Sequence, residues 1–242
     1  MLLHPSIAGI QEAELVDLLL GDTGWRSRVV GLAGIPDDVV VYQRIPLEAA
    51  SSDEKDLGDI DILLCPPGGP DQSTAIQVKR LKAQAFSAGQ ADTLGDYDDG
   101  VPFCPGQVNG VGNLAEGVRQ ANHLARIGFS QVYLYVFVVG DAREQTAKQG
   151  PLANITPELR SFIDSKVRDS QRDLDPRVGL FRCEFIQPED EVPLGPGAFT
   201  GSLIRLAQHQ TQSQHLTQSI AGVQREHSPT WAAPTHVIVP RP

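Results

Sequence analysis

The sequence has few cysteines and no long apolar segment. Its 242 residues include three cysteines, Cys65, Cys104 and Cys183, which form no Cys-x-x-Cys pair and have no histidine at zinc spacing. Neither a disulfide framework nor a structural zinc is therefore expected, and a reducing cytoplasm suits this composition. The longest apolar run, residues 132–139, is too short to cross a bilayer and predicts a buried strand. We expect a cytoplasmic protein with no membrane partner.

Basic residues and phosphate-binding motifs are also scarce. Residues 1–5 contain no lysine or arginine, so no secretory signal is expected. The Gly-Val-Gly-Asn at 110–113 lacks the Gly-Lys-Ser/Thr of a nucleotide-binding loop. The net charge is −10, whereas a DNA-binding protein that acts alone usually presents a basic surface. Any binding to nucleic acid is therefore expected to need a partner protein or a homo-oligomer, or the displacement of an acidic loop.

Two alternating runs separated by a turn-rich stretch predict a β-hairpin. The runs are residues 58–65 and 74–80, and the stretch between them, 66–72, contains three prolines and two glycines. Such a stretch cannot continue a strand. Because side chains alternate across a strand, Asp59 and Asp61 share one face of the first run.

The hairpin brings three polar side chains together if its pairing is symmetric about Gly69. Asp61 then lies directly across from Gln77, and Lys79 lies diagonal to Asp61 on the same face. A carboxylate, an amide oxygen and an ammonium group that converge in this way indicate a site for a metal ion and a phosphate.

These residues resemble the core of the PD-(D/E)xK nuclease superfamily. The family pattern is an Asp that ends a Gly-x-x-Asp stretch, followed on the next strand by Glu/Asp/Gln-x-Lys. Here Gly-Asp-Ile-Asp at 58–61 and Gln-Val-Lys at 77–79 match it. The glutamine form is similar to that of Mrr-type restriction enzymes, which cut modified DNA. The resemblance covers roughly residues 7–140 and implies an α/β fold, a restriction-endonuclease-like mixed β-sheet core flanked by helices, here with additional C-terminal elements.

The resemblance also implies a metal-dependent nuclease that hydrolyses DNA, with Mg²⁺ or Mn²⁺ as cofactor. Asp61, Gln77 and the backbone carbonyl of Val78 would bind the metal, and Lys79 would orient the attacking water or stabilise charge on the phosphate. In the family a helix before the first strand supplies a further Glu, which here is expected to be Glu12. Such domains often serve as effectors of restriction or anti-phage defence.

The helix that carries this Glu is predicted over residues 6–20, with Ser6 as its N-cap. Glu12 has apolar residues at i+3, i+4 and i+7, which favours an inward position, but Glu14 is nearly as well placed. A second amphipathic helix is predicted over residues 114–127, and its Gln120 is the candidate to approach the site.

Arg80 and Lys82 directly follow the Gln-x-Lys motif and, with Gln120, are the candidate nucleic-acid-binding residues. The rest of the chain is predicted to contain strands at 28–32, 39–45, 131–139 and 178–186, a helix at 156–173, a loop over 83–113 and a helix from about Ser202. The expected organisation is a nuclease core at 1–145, a helix-strand extension on the same domain at 146–207, and a Gln-rich C-terminal segment at 208–242.

Two other functions are compatible with these residues. In the first, the nuclease fold survives as a non-catalytic scaffold or binding module, and Gln77 marks the loss of the metal. In the second, the protein is a small-molecule hydrolase or nucleotide sensor that uses the 83–113 loop. Two carboxylates that point into the site would favour a metal, whereas a single carboxylate beside an amide and a lysine would favour the scaffold.

Overall fold

The computed structural model describes residues 10–21, 23–32, 34–35, 38–46, 59–66, 69–83, 108–141, 155, 157–187 and 199–230. The helices of this part are α1 (Glu12–Gly21), α2 (Thr23–Leu32), α3 (Val111–Ile127), α4 (Pro157–Asp173) and α5 (Gln214–Glu226). The strands are β1 (Val40–Pro46), β2 (Asp59–Cys65), β3 (Thr74–Ala83), β4 (Val108–Asn109), β5 (Gln131–Asp141), β6 (Gly179–Gln187) and β7 (Phe199–Arg205). No helix among these residues is both long enough and apolar enough to span a membrane.

The strands form one mixed sheet in the order β1-β2-β3-β5-β6-β7, and the short β4 pairs with the end of β3. The pairs β1–β2, β2–β3 and β6–β7 are antiparallel, whereas β3–β5 and β5–β6 are parallel. Helices α3 and α4 lie in the chain connections between the parallel strands, as crossover connections require. The chain therefore has an α/β fold in which a six-stranded mixed sheet is flanked by helices.

Both faces of the sheet are covered, which explains the continuous apolar run of β5. Tyr133, Tyr135 and Phe137 belong to one buried cluster with residues of α1 and α2. Leu134 and Val136 belong to the other, with residues of α3, α4 and α5. The fully buried strand that the sequence predicted at 132–139 is confirmed, and it forms the centre of the sheet.

The C-terminal segment fixes the hairpin between β2 and β3. Buried Gln212 accepts a hydrogen bond from the Ser73 hydroxyl (2.6 Å) and donates one to the Pro70 carbonyl (2.5 Å). Pro70 begins the 3₁₀ turn Pro70–Gln72, which lies between the two strands. Helix α5 follows Gln212 and buries its apolar face, Leu216, Ile220 and Val223, against the core. The Gln-rich residues 208–226 are thus a packed part of the fold.

Most predicted elements are confirmed within one to three residues. They are the strands at 39–45, 59–65, 74–80, 131–139 and 178–186 and the helices at 114–127 and 156–173. The predictions at Ser6, Gly58, residues 84–107, Trp231 and residues 236–239 lie outside the described residues.

Three predictions about element type or boundary are wrong. Residues 28–32 were expected to form a strand but belong to helix α2. The β-branched Val29 and Val30 suggested a strand, yet they are buried with Trp25 at helical spacing, and the Trp25 ring packs edge-on against Phe185 at 4.6 Å. Tertiary packing therefore overrides the local preference of these residues.

The other two errors concern Ser202 and the start of helix α1. Ser202 was expected to begin a helix, but it lies in β7, where it pairs with Arg182 of β6. Pairing to a neighbouring strand depends on distant residues and has no local signal. Helix α1 begins at Glu12, and Ile10 and Gln11, which fall inside the helix predicted over 6–20, are not helical. The Glu14 carboxylate accepts a hydrogen bond from the Gln11 backbone N–H (2.7 Å), which is one half of a capping box at this later start.

Candidate active site

The site lies where β2 and β3 separate. The two strands pair through Ile62–Ile76, Leu63–Ala75 and Leu64–Thr74, which is the register symmetric about Gly69. The described pairing ends at Ile62–Ile76, although β3 continues to Ala83. Beyond this last pair, Asp61 lies on one side of the gap and Gln77–Arg80 lie on the other. These strand ends therefore form two walls of an opening.

Asp61 is held by two hydrogen bonds at the start of this opening. Its Oδ2 atom accepts one from Gln77 Nε2 (2.5 Å) and one from the Val78 backbone N–H (2.7 Å). Burial raises the pKa of Asp61 from 3.8 to about 6, and the nearby charges of Glu12 and Asp59 add to this rise. The Val78 N–H and the Lys79 ammonium act in the opposite direction. Removal from water thus outweighs the groups that stabilise the ionised carboxylate.

Gln77 carries a buried oxygen with no donor in the described part of the chain. Gln77 is only 2% exposed, and its amide nitrogen is used by Asp61. No described residue donates a hydrogen bond to its Oε1 atom. An unsatisfied buried acceptor is unfavourable unless another group completes it. A divalent cation between Asp61 and Gln77 would do so, because hard cations prefer carboxylate and amide oxygens.

Glu12 and Lys79 form an ion pair across the opening. The Lys79 ammonium lies 2.9 Å from Glu12 Oε1, and the side chains are 8% and 31% exposed, respectively. The other carboxylate oxygen of Glu12 accepts a hydrogen bond from the Arg80 backbone N–H (3.1 Å). The structure therefore brings Glu12 to the site, whereas Glu14 caps its own helix. With Glu12 and Asp61, two carboxylates face the opening.

Gly117 of helix α3 makes room for Lys79 and was not identified from the sequence. A Cβ atom at Gly117 would lie 2.5 Å from Lys79 Cγ and 3.1 Å from Leu134 Cδ1. The aliphatic part of Lys79 therefore packs directly on the helix backbone. The sequence does contain a signal, because glycine inside an amphipathic helix is unfavourable by about 1 kcal/mol relative to alanine and usually has a packing reason.

These side chains line a cleft of about 320 Å³, whose walls come from α1, β1, β2, β3 and α3. The lining residues are Glu12, Ala13, Val16, Arg44, Asp59, Asp61, Gln77, Lys79 and Gln120. Sequence reasoning missed Arg44 altogether. Asp59 is not among the predicted site residues, although the Asp-x-Asp spacing, which places it on the same face as Asp61, is a sufficient signal for it.

The three candidate nucleic-acid-binding residues are not in one place. Gln120 lines the cleft and is 8% exposed. Arg80 and Lys82 are not among the lining residues, because they alternate with Lys79 along β3 and point to the other face. The Arg80 guanidinium donates to the Ile10 carbonyl. The pKa of Lys82 is lowered by its burial and by the charge of Arg80.

Among the described residues there is no group of three or more His, Cys, Asp and Glu side chains placed to hold a metal ion. The donor set of this cleft differs from such a group because one of its members is an amide. No protein-family model matches the chain. No curated protein matches it at a significant level either.

Proposed function

We propose that the protein is a metal-dependent nuclease of the PD-(D/E)xK type that hydrolyses phosphodiester bonds of DNA. The observation that carries this proposal is the arrangement of Asp61, Gln77, Lys79 and Glu12 around one cleft. The buried, donor-free oxygen of Gln77 lies beside a carboxylate whose pKa is raised to about 6. A cation would supply the missing partner of this oxygen, and Lys79 lies in the same cleft.

Asp61 and Gln77 would hold the metal, and the backbone carbonyl of Val78 would join them by analogy with the family. A bound Mg²⁺ or Mn²⁺ ion supplies polarisation of the phosphate and a lower pKa for an attacking water. The protein residues supply the rest. The Val78 N–H fixes the carboxylate of Asp61, and the buried surroundings of the site strengthen every electrostatic interaction in it.

Lys79 is the residue that would act on the phosphate. The aliphatic part of its side chain packs against Gly117, and its ammonium forms an ion pair with Glu12. A fixed positive charge of this kind stabilises the negative charge that develops on a phosphate during hydrolysis. Lys79 would also orient the attacking water, because an ammonium donates three hydrogen bonds and one of them goes to Glu12. No proton abstraction by Lys79 is required.

The biological setting we propose is that of an effector in restriction or anti-phage defence, acting in the cytoplasm. The net charge of −10 opposes tight binding of the isolated chain to DNA. A partner protein or a homo-oligomer would supply the missing basic surface. This part of the proposal depends on analogy with the family.

The test is cleavage of plasmid and linear DNA with Mg²⁺ and Mn²⁺ by the wild type and by Asp61→Ala and Lys79→Ala. We expect metal-dependent cutting that is lost in both variants. Calorimetric titration of Mn²⁺ adds a readout independent of cutting, and the heat of binding should disappear in Asp61→Ala. Cutting that persists in Asp61→Ala would disprove the assignment of the site.

A second candidate function is that of a non-catalytic scaffold, and one observation favours it. Asp61 is bonded to Gln77, and Lys79 is bonded to Glu12, so the four groups partly satisfy one another. Against the scaffold, the buried Oε1 atom of Gln77 accepts no hydrogen bond from any described residue, which is unfavourable if no metal binds there. Wild-type protein that neither binds Mn²⁺ nor cuts DNA, alone or with a partner, would establish the scaffold.

A further inference from the structure

Arg44 has an unusual backbone conformation opposite the centre of the site. In the ladder between β1 and β2, Gln43 pairs with Ile62 and Ile45 pairs with Ile60, so Arg44 stands at the level of Asp61. Its φ is 51°, and no other non-glycine residue in the described part has a positive φ. Such a conformation is unfavourable for an L-residue and persists where the surrounding contacts fix it.

The guanidinium of Arg44 lies at the rim of the cleft, against helix α1 at Ala13, the residue after Glu12. Nη2 of Arg44 donates to the Ala13 carbonyl (3.2 Å) and to Asp17 Oδ2 (2.5 Å). The side chains of Arg44 and Asp17 are 48% and 52% exposed, and an ion pair this exposed is weak and easily exchanged. Within the described residues, Nε and Nη1 donate no hydrogen bond. They are therefore available to a further acceptor.

The charges of the cleft show which acceptor suits Arg44. Among the lining residues, Glu12, Asp59 and Asp61 are acidic, and Arg44 and Lys79 are basic. Lys79 is nearly buried and already paired with Glu12, so an anion that arrives from solvent meets Arg44 first. A planar guanidinium with two available N–H groups matches the oxygens of a phosphate diester.

We propose that Arg44 is a substrate-binding residue that contacts a backbone phosphate of the nucleic acid at the rim of the cleft. This inference deepens, and rests on, the proposed nuclease function. Binding of the phosphate replaces Asp17 as the partner of the guanidinium.

The test is the salt dependence of binding to a fluorescently labelled DNA duplex, measured in EDTA so that cleavage does not interfere. Arg44→Ala should weaken binding about tenfold and lower the slope of log K against log salt by about one, the value for one lost phosphate contact. Arg44→Lys should keep the slope and lose only part of the affinity. Arg172→Ala removes an arginine whose side chain is 80% exposed, outside the cleft, and should leave the slope unchanged.

Asp17→Asn separates phosphate binding from a merely structural role. If Arg44 binds phosphate, Asp17→Asn releases it and leaves DNA binding unchanged or tighter. If Arg44 only ties β1 to α1, then Asp17→Asn and Arg44→Ala should weaken binding equally and lower the melting temperature together. That result would overturn the inference, as would an unchanged salt slope in Arg44→Ala or an absence of DNA binding by the wild type.

Cleavage assays with Mn²⁺ distinguish failure of this inference from failure of the proposed function. Wild-type cutting together with an unchanged slope in Arg44→Ala would reject the role of Arg44 and leave the nuclease standing. DNA binding that depends on Arg44, in a protein that neither binds Mn²⁺ nor cuts DNA, alone or with a partner, would reject the nuclease and retain the phosphate contact.

Discussion

Replacing Asp61 by asparagine should stabilise the metal-free protein at neutral pH and change its stability little at low pH. The asparagine oxygen can still accept the hydrogen bonds from Gln77 Nε2 and from the Val78 N–H that Oδ2 accepts in the wild type. The substitution therefore removes the charge and keeps the contacts. What it removes is the unfavourable burial of an ionised carboxylate near Glu12 and Asp59.

The size of the effect follows from the pKa of Asp61, which rises from 3.8 to about 6 on folding. Because the folded state holds the proton more tightly, the contribution of Asp61 to stability is fully present below pH 3.8 and is lost as the pH rises through 6. A shift of roughly two units corresponds to about 3 kcal/mol. About 2.5 kcal/mol of this change should fall between roughly pH 4 and pH 8.

The assay is urea unfolding of the wild type and Asp61→Asn in EDTA across this pH range. The quantity to follow is the difference between their free energies of unfolding, because the other titrating groups largely cancel in it. This difference should grow by about 2.5 kcal/mol, or roughly 5–10 °C in melting temperature for a chain of this size. A difference that stays constant across the range would show that the pKa of Asp61 is not raised on folding.

The same unfolding measurements, repeated with Mg²⁺, test metal binding at Asp61. Saturating Mg²⁺ should raise the stability of the wild type at neutral pH, by about 2.7 kcal/mol at a concentration 100 times the Kd. Asp61→Asn should gain far less. Because the metal competes with the proton on Asp61, the Mn²⁺ affinity of the wild type should fall about tenfold for each pH unit below 6. Equal stabilisation of both proteins by Mg²⁺ would place the metal elsewhere.

Three further predictions concern neighbours of Asp61. Gly117→Ala places a methyl group 2.5 Å from Lys79 Cγ and should reduce DNA cleavage about tenfold or more. Gly112→Ala is the control, because a methyl group at that position has nothing within 4 Å, and it should leave the cleavage rate unchanged. Glu12→Gln should slow cleavage on the order of a hundredfold because the lysine loses its partner, but Glu14→Gln should only loosen the start of helix α1, by at most about 1 kcal/mol in thermal unfolding. Gln77→Glu should raise Mn²⁺ affinity in calorimetry, because a carboxylate binds a hard cation more strongly than an amide does, and weaker binding would contradict a ligand role for this position.

The hairpin and its register were predictable from the sequence because every signal for them is local. The turn residues of 66–72 limit where the chain reverses, and the alternation of the two runs determines which side chains share a face. The inward position of Glu12 was also accessible, because the apolar residues at i+3, i+4 and i+7 identify the buried side of its helix. These elements contain most of the proposed catalytic residues.

The residues that the sequence did not reveal depend on contacts between distant segments. Gly117 matters because helix α3 crosses Lys79, and a glycine inside an amphipathic helix indicates close packing but not which residue packs there. Arg44 looks like an ordinary polar position of a strand until its left-handed backbone is seen. Residues 28–32 have strand-like composition but form part of a helix, because Tyr135 and Phe185 on the sheet provide its packing surface and the Tyr135 hydroxyl bonds to the Val29 carbonyl (3.0 Å).

The glutamine at position 77 is best explained by the charges already present around it. Glu12, Asp59 and Asp61 line the same cleft, and a further carboxylate at position 77 would add to the repulsion that raises the pKa of Asp61. An amide avoids this repulsion and donates a hydrogen bond to Asp61 when no metal is bound. It still presents one oxygen for a metal. In the proposed metal site, Gln77 would therefore make the metal-free state more stable and the metal affinity lower, and we expect occupancy to depend on the metal concentration and on the arrival of a phosphate.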